Sequence, residues 1–161
     1  MEEKDYFKSW LKENLDHYAL TDKSYRNFYQ RYKRKQYVGE INTELATYGD
    51  AVLKLALSEI LFEREGNLSV EKADYESDEA LTKYIAKHYD FLSILRFDKD
   101  NASMPQDYDH KGNKDRNNHK YLATAVEACL GAIYRKDKDM NKIIEIVKGW
   151  KDIIDNAKKH D

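Results

Sequence analysis

The sequence predicts an all-α protein of about seven helices arranged around a buried central helix, and three observations support this. One proline and six glycines occur in 161 residues, so helix breakers are scarce. Leu, Ala, Lys and Glu, which lose little side-chain freedom in a helix, are abundant. Apolar residues recur at helical spacing, most clearly over 42–62 and 120–134.

In chain order, helices are expected at about 3–15, 22–36, 42–63, 69–87, 89–96, 118–135 and 138–158, with Asn42 and Ser69 as N-caps. The third places Leu45, Val52, Leu55 and Ile60 around most of its circumference, so it is expected to be the buried central helix. The sixth reads similarly through Leu122, Val126, Leu130 and Ile133. Between them, DKDNASMPQDYDHKGNKDRN at 98–117 is polar, contains Pro105 and Gly112 and has no periodicity. It is read as the one long loop, and long loops in compact domains are often functional. No internal repeat or low-complexity segment is present.

Both apolar helices contain an acid. Asp50 stands between Gly49 and Ala51, and Glu127 stands among Ala125, Val126 and Ala128. An ionised carboxylate removed from water costs several kcal/mol unless it is paired or bound to metal. Two such acids on two helices point to one shared site, and oxygen ligands of this kind suit Mg²⁺, with Mn²⁺ able to substitute. Taken without any resemblance, a pair of acids bridged to Lys or Arg is the favoured reading. Gly49 and Gly131 lie inside these helices, where glycine costs about 1 kcal/mol relative to alanine. Close approach of the two helices is the simplest compensation, and small residues at 46, 49, 51, 123, 125, 128 and 131 would permit it.

Four strings in register carry a family resemblance. NTELATYGDAVL at 42–53 resembles the ribonuclease III signature NERLEFLGDAVL, and KYLATAVEACLGAIY at 120–134 resembles that family's LADALEALIGAIYLD. Upstream, HYALTDKSYRN at 17–27 resembles ALTHRSYAN. ADYESDEAL at 73–81 resembles ALVSNEAL, with weaker agreement at EGNLS, 65–69. Together they cover roughly residues 12–155. The resemblance implies the ribonuclease III endonuclease-domain fold and a Mg²⁺-dependent endoribonuclease acting on double-stranded RNA, such as a precursor of ribosomal RNA. It further implies a homodimer in which each subunit cuts one strand, leaving 5′-phosphates and short 3′ overhangs.

Carried over position by position, the family's four carboxylates fall on Ala46, Asp50, Thr124 and Glu127, of which only Asp50 and Glu127 are acids here. These two are the expected catalytic and metal-binding residues. LATYGDA and ATAVEACLG resemble LAYIGDA and STAFEALLG of the short Mini-III enzymes, which lack an RNA-binding domain and carry a small residue and a hydroxyl residue at the two divergent positions. Thr124, three residues before Glu127 on the same helical face, is a possible supporting residue, as is Ala46. Glu65 matches an acid at the edge of the family's catalytic valley, and Lys120 matches a frequent lysine ahead of the second signature. The aromatic that follows the first acid in the larger enzymes, and packs into the partner subunit, is Thr47 here.

A chain of 161 residues is expected to be a single domain over 1–161, without a double-stranded-RNA-binding domain. Its net charge of −2, from 28 Lys+Arg against 30 Asp+Glu, is not the basicity of a tight nucleic-acid binder, so RNA affinity must be local. Arg31, Lys33, Arg34 and Lys35, interleaved with Tyr32 and Tyr37, are one such cluster; Lys111, Lys114 and Arg116 are another. Clustered cations suit the phosphates of an RNA duplex, although such runs also serve as plain solvated faces. The thirteen tyrosines are read mainly as packing, and the five histidines show no ligand spacing. Cys129 is alone, which leaves no disulfide framework, and reads as core. No stretch has the length of a membrane span, and a cytoplasmic location is expected. A catalytically silent ribonuclease III fold, used for RNA binding or assembly, is the alternative, and the loss of two acids is its best argument.

Overall fold

The computed structural model describes residues 5–62, 66–101, 104, 107, 108 and 118–160. Helix α1, Tyr6–Glu13, begins where Asp5 accepts a hydrogen bond from the Lys8 amide. A 3₁₀ turn at Tyr18–Leu20 leads to α2, Tyr25–Lys33, and α3 follows at Thr43–Leu61. Helix α4, Leu68–Glu76, is capped by Asn67, whose Oδ1 accepts from the Ser69 and Val70 amides, so the expected cap at Ser69 lies two residues too late. Asn42 sits ahead of α3 but does not cap it with its side chain. Instead its Nδ2 donates to the Ala19 carbonyl.

The helix expected at 69–87 is broken at Ser77, which is extended and turns its hydroxyl onto the Ala80 amide. A serine gains such a local bond more readily at a cap than inside a helix, which explains the break. Helix α5 starts there, at Asp78–Ala80, and continues as a π-helical stretch, Leu81–Ala86. Helix α6 is only Phe91–Ile94, because Asp90 is left-handed (φ 54°) and Leu95 is extended. Arg96 then forms an isolated parallel bridge with Thr21, and its guanidinium donates to Thr21 Oγ1 and to the Leu15 and His17 carbonyls. Helices α7, Asn118–Asp137, and α8, Met140–Lys159, complete the fold. Asp139 caps α8 by accepting from the Lys142 amide.

Helices α3 and α7 form the most extensive pair, with α8, α4 and α5 packed around them. The more enclosed of the two is α7: every residue from Ala125 to Ile133 is buried. Helix α3, expected to be the central one, buries one face through Leu45, Gly49, Val52, Leu53, Ala56 and Leu57, and leaves Thr47, Ala51 and Leu55 exposed. Leu55, counted as core from its spacing, is 50 % exposed. Cys129 is fully buried, and burial pushes its thiol pKa up. On the far side, Phe7 meets Trp150 edge-on at 5.0 Å and ties α1 to α8.

The α3–α7 pair closes to backbone contact at two glycines. A Cβ added to Gly131 would lie 2.5 Å from the Leu45 carbonyl oxygen and 3.1 Å from the Gly49 Cα. One added to Gly49 would collide with the Glu127 carbonyl oxygen. Gly149, in α8, meets nothing within 4 Å. Gly49→Ala should therefore force the helices apart and destabilise the protein by about 1–3 kcal/mol or more. Gly149→Ala should stabilise it by about 0.5–1 kcal/mol through helix propensity. Thermal unfolding of the two variants checks this. Equal melting temperatures would show that the contact does not limit the packing.

Candidate active site

Asp50 follows Gly49 on α3, and Glu127 lies where α7 crosses that glycine. The backbone contact thus sets both carboxyl groups side by side, within hydrogen-bonding reach of each other. Glu127 is 8 % exposed, whereas the Asp50 side chain is 39 % exposed and reaches solvent. Lys54, one turn beyond Asp50, places its Nζ 2.9 Å from Asp50 Oδ2. Lys72 of α4 adds attraction at Asp50, and Asp78 of α5 adds repulsion at Glu127.

These surroundings separate the two acids. Burial pushes the Glu127 carboxyl up to about 9, and the hydrogen bond and negative charge of Asp50 push in the same direction. Burial also works against a charge on Asp50. The hydrogen bonds from Glu127 and Lys54 and the ammonium charge of Lys54 outweigh it and hold the Asp50 carboxyl below its ordinary value. The pair is thus pushed toward sharing one proton, with Glu127 the member favoured to hold it and Asp50 the member favoured to ionise.

Of the other expected site residues, Ala46 is buried one turn before Asp50, and Thr124 is half-buried one turn before Glu127. Lys120 is exposed in the first turn of α7. Positions 120, 124 and 127 share a helical face, with Lys120 about 10 Å along the axis from Glu127. Glu65, Lys111, Lys114 and Arg116 lie outside the described residues. Lys33, Arg34 and Lys35 are exposed at the end of α2. Arg31 is not free like them: its guanidinium pairs with Asp98 and, at 3.6 Å, with Asp100. Sequence reasoning missed Lys54, although its i,i+4 spacing from Asp50 was a usable signal. Lys72 and Asp78 come from separate helices, and nothing local announces them.

Among the described residues, no group of three or more His, Cys, Asp or Glu side chains is gathered as a metal site. Two adjacent carboxyls, one pushed toward its protonated form by burial and by the other's charge, nevertheless fit an octahedral cation that keeps most of its water. The donor set is all oxygen, which favours Mg²⁺ or Mn²⁺ over softer metals.

Residues 43–138 match the Ribonuclease III domain, a span that includes α3, α7 and both acids. The chain belongs to the ribonuclease III domain family. It is 34 % identical over 125 residues to Ribonuclease 3 of Natranaerobius thermophilus, covering 73 % of this chain and 50 % of that protein. It is 33 % identical over 151 residues to Ribonuclease 3 of Clostridium tetani, covering 90 % of this chain and 57 % of that protein. The chain thus spans about half the length of the curated relatives it matches. Its fold is similar to the crystal structure of the nuclease domain of ribonuclease III from Campylobacter jejuni, with a TM-score of 0.63 at 23 % identity, covering 93 % of this chain and 94 % of that one.

The raised Glu127 carboxyl makes metal-free stability depend on pH. Below about 4.5 both the folded and unfolded states hold this proton, whereas from there to about 9 only the folded state does. Rising pH therefore favours unfolding across that interval. Glu127→Gln, which keeps the hydrogen bond to Asp50 and cannot ionise, should lose this dependence and gain stability relative to the parent as pH rises. Melting temperatures in EDTA between pH 5 and 9 check it. Parallel curves for the two proteins would mean that Glu127 ionises normally.

Proposed function

We propose that this chain is a divalent-metal-dependent endoribonuclease domain that hydrolyses phosphodiesters of double-stranded RNA, as in the processing of ribosomal or other structured RNA. The observation that carries the reading is the Asp50–Glu127 pair, held together by glycine contact within the segment that matches the family. Ribonuclease 3 is what the relatives are named, and the match to them supports the same chemistry here.

Asp50 and Glu127 would hold the cation, Asp50 as the standing anion and Glu127 after releasing its proton. A bound Mg²⁺ supplies a water of lowered pKa and neutralises charge that builds on the phosphate. Lys54 lies beside Asp50 and can turn its ammonium to a phosphate oxygen. The Thr124 hydroxyl stands one turn from Glu127, where it can orient a water, and Lys120 lies farther along the same face. Ala46 leaves room where the larger enzymes carry an acid. Lys33, Arg34 and Lys35 are exposed and would meet duplex phosphates, so binding should weaken steeply with salt.

A duplex has two strands and one chain carries one acid pair, so the working unit is read as a homodimer. The exposed α3 face with Thr47, Ala51 and Leu55 is consistent with a partner surface. A catalytically silent RNA-binding module remains the second reading. The Lys54–Asp50 ion pair favours it, since an internal ammonium already occupies one of only two acids.

A Mg²⁺-dependent cleavage assay on a long RNA duplex decides between the readings. Asp50→Asn and Glu127→Gln should each reduce cleavage by at least roughly a hundredfold, because each removes half of the anionic ligands and keeps side-chain volume. A parent protein inactive at saturating Mg²⁺ and Mn²⁺ would establish the silent module.

Ala46→Glu combined with Thr124→Asp should rebuild a four-acid site. Four carboxylates repel one another without metal and bind it more strongly, so the melting temperature in EDTA should fall while the Mg²⁺-dependent rise grows. An unchanged Mg²⁺ shift would mean that positions 46 and 124 do not line the site.

A further inference from the structure

Helix α2 carries Tyr25, Phe28, Tyr29 and Tyr32 at i, i+3, i+4 and i+7, a stripe that in most helices would face the core. No residue of α2 is buried. The rings stack along the helix instead. Centroids of Tyr25 and Phe28 are 5.9 Å apart and those of Phe28 and Tyr32 are 4.6 Å apart. Arg34, in the left-handed conformation (φ 54°), ends the helix and turns the chain back. Tyr37 then meets the rings of Tyr25 and Tyr29 at 5.4 and 5.3 Å. Polar ties fix the helix in place: Arg31 pairs with Asp98, and the Tyr32 hydroxyl donates to Asp100 at 2.8 Å. The result is an ordered aromatic ridge in which Tyr25, Phe28, Tyr29 and Tyr37 are half-buried and Tyr32, at the tip, is 62 % exposed.

The ridge is also the most basic part of the chain. Residues 23–39 hold six Lys and Arg and no Asp or Glu, in a protein of net charge −2. Lys33, Arg34 and Lys35 are exposed at its end, and among the described residues none is paired with a carboxylate. Protein–protein interface cores are depleted of lysine, whereas single-stranded nucleic-acid sites interleave cations with aromatic rings. Bases inside a duplex are covered by their neighbours, so these rings can stack only on unpaired ones.

We propose that α2 and the Arg34–Tyr37 turn form a stacking platform for the unpaired nucleotides that flank an RNA duplex. Phe28 and Tyr32 face the bases, and Lys33, Arg34 and Lys35 face the phosphates. This rests on the ribonuclease reading for the identity of the nucleic acid, and it adds a second feature of the substrate: a single-stranded extension beside the duplex to be cut.

Anisotropy titrations in EDTA, where no cleavage occurs, test it with a blunt RNA duplex and the same duplex bearing an unpaired extension of roughly eight nucleotides. The parent should bind the extended duplex roughly tenfold more tightly than the blunt one, the order that stacking supplies. Tyr32→Phe, which keeps the ring, should preserve the gain, whereas Tyr32→Leu and Phe28→Leu should each reduce it several-fold with blunt-duplex binding unchanged. Tyr32 lies outside the core, and Tyr32→Phe shares with Tyr32→Leu the loss of the hydroxyl bond to Asp100, so comparing the two isolates the ring from that tie. No gain in the parent, or a gain that survives both leucine variants, overturns the proposal. So does sedimentation in which Tyr32→Leu dissociates a dimer while the RNA gain persists, which would make the ridge a contact between protein copies. Mg²⁺-dependent cleavage of the blunt duplex is measured separately: its absence in the parent removes the nuclease reading, while the anisotropy result stands or falls by itself.

Discussion

Backbone contact between α3 and α7 at Gly49 and Gly131 is the constraint on which the site depends. Each glycine weakens its own helix by about 1 kcal/mol, a cost accepted twice on facing positions. In return the helices approach until a carbonyl of one faces the Cα of the other, and the side chains just beyond the contact are pressed together. Asp50 and Glu127 are those side chains. With an ordinary separation between the helices, their carboxyls would each have found water or a lysine. The electrostatics of the site is therefore a consequence of its sterics.

The asymmetry between the acids has a simple cause. Asp50 stands at the rim, where Lys54 reaches it, and Glu127 lies behind, where no ammonium group among the described residues is bonded to it. Burial and the neighbouring charge of Asp50 together push Glu127 toward keeping its proton. A divalent cation in that space would supply the missing charge and compete with Lys54 for Asp50. On the proposed reading, alanine at 46 and threonine at 124 suit this chain. Two further carboxylates around a pair already short of positive charge would raise the cost of the metal-free fold.

Much of this was legible in the sequence because it is local. Acids within apolar helical runs and glycines within helices mark α3, α7 and their close approach, and Cys129 among apolar neighbours reads correctly as core. Periodicity failed where two apolar helices had to be ranked: it placed α3 at the centre, although α7 is enclosed from Ala125 to Ile133 and α3 leaves Leu55 in solvent. It also failed at Ser77, where a single side-chain bond to the Ala80 amide outweighs continued helix. The aromatic stripe of α2 is not singled out in the sequence, where the tyrosines read mainly as packing. Spacing fixes which residues share a face, but only tertiary packing decides whether that face is covered.

Why α2 can stand clear of the core follows from how its base is closed. The Asn42 amide donates to the Thr21 carbonyl at 2.9 Å, and the Asp22 amide donates to the Arg96 carbonyl at 2.9 Å. The two ends of the excursion from Asp22 to Ile41 therefore meet, and the segment between them closes on the fold like a loop. The entropic cost of such a closed segment grows only slowly with its length, so its content can vary without disturbing the helices it interrupts. The family match begins at Thr43, immediately after this closure. The acid pair belongs to the matched helices, whereas the concentrated positive charge and the aromatic stripe belong to the excursion. On the proposed readings, the segment that would hold the nucleic acid is thus separate in sequence from the helices that would carry the acids.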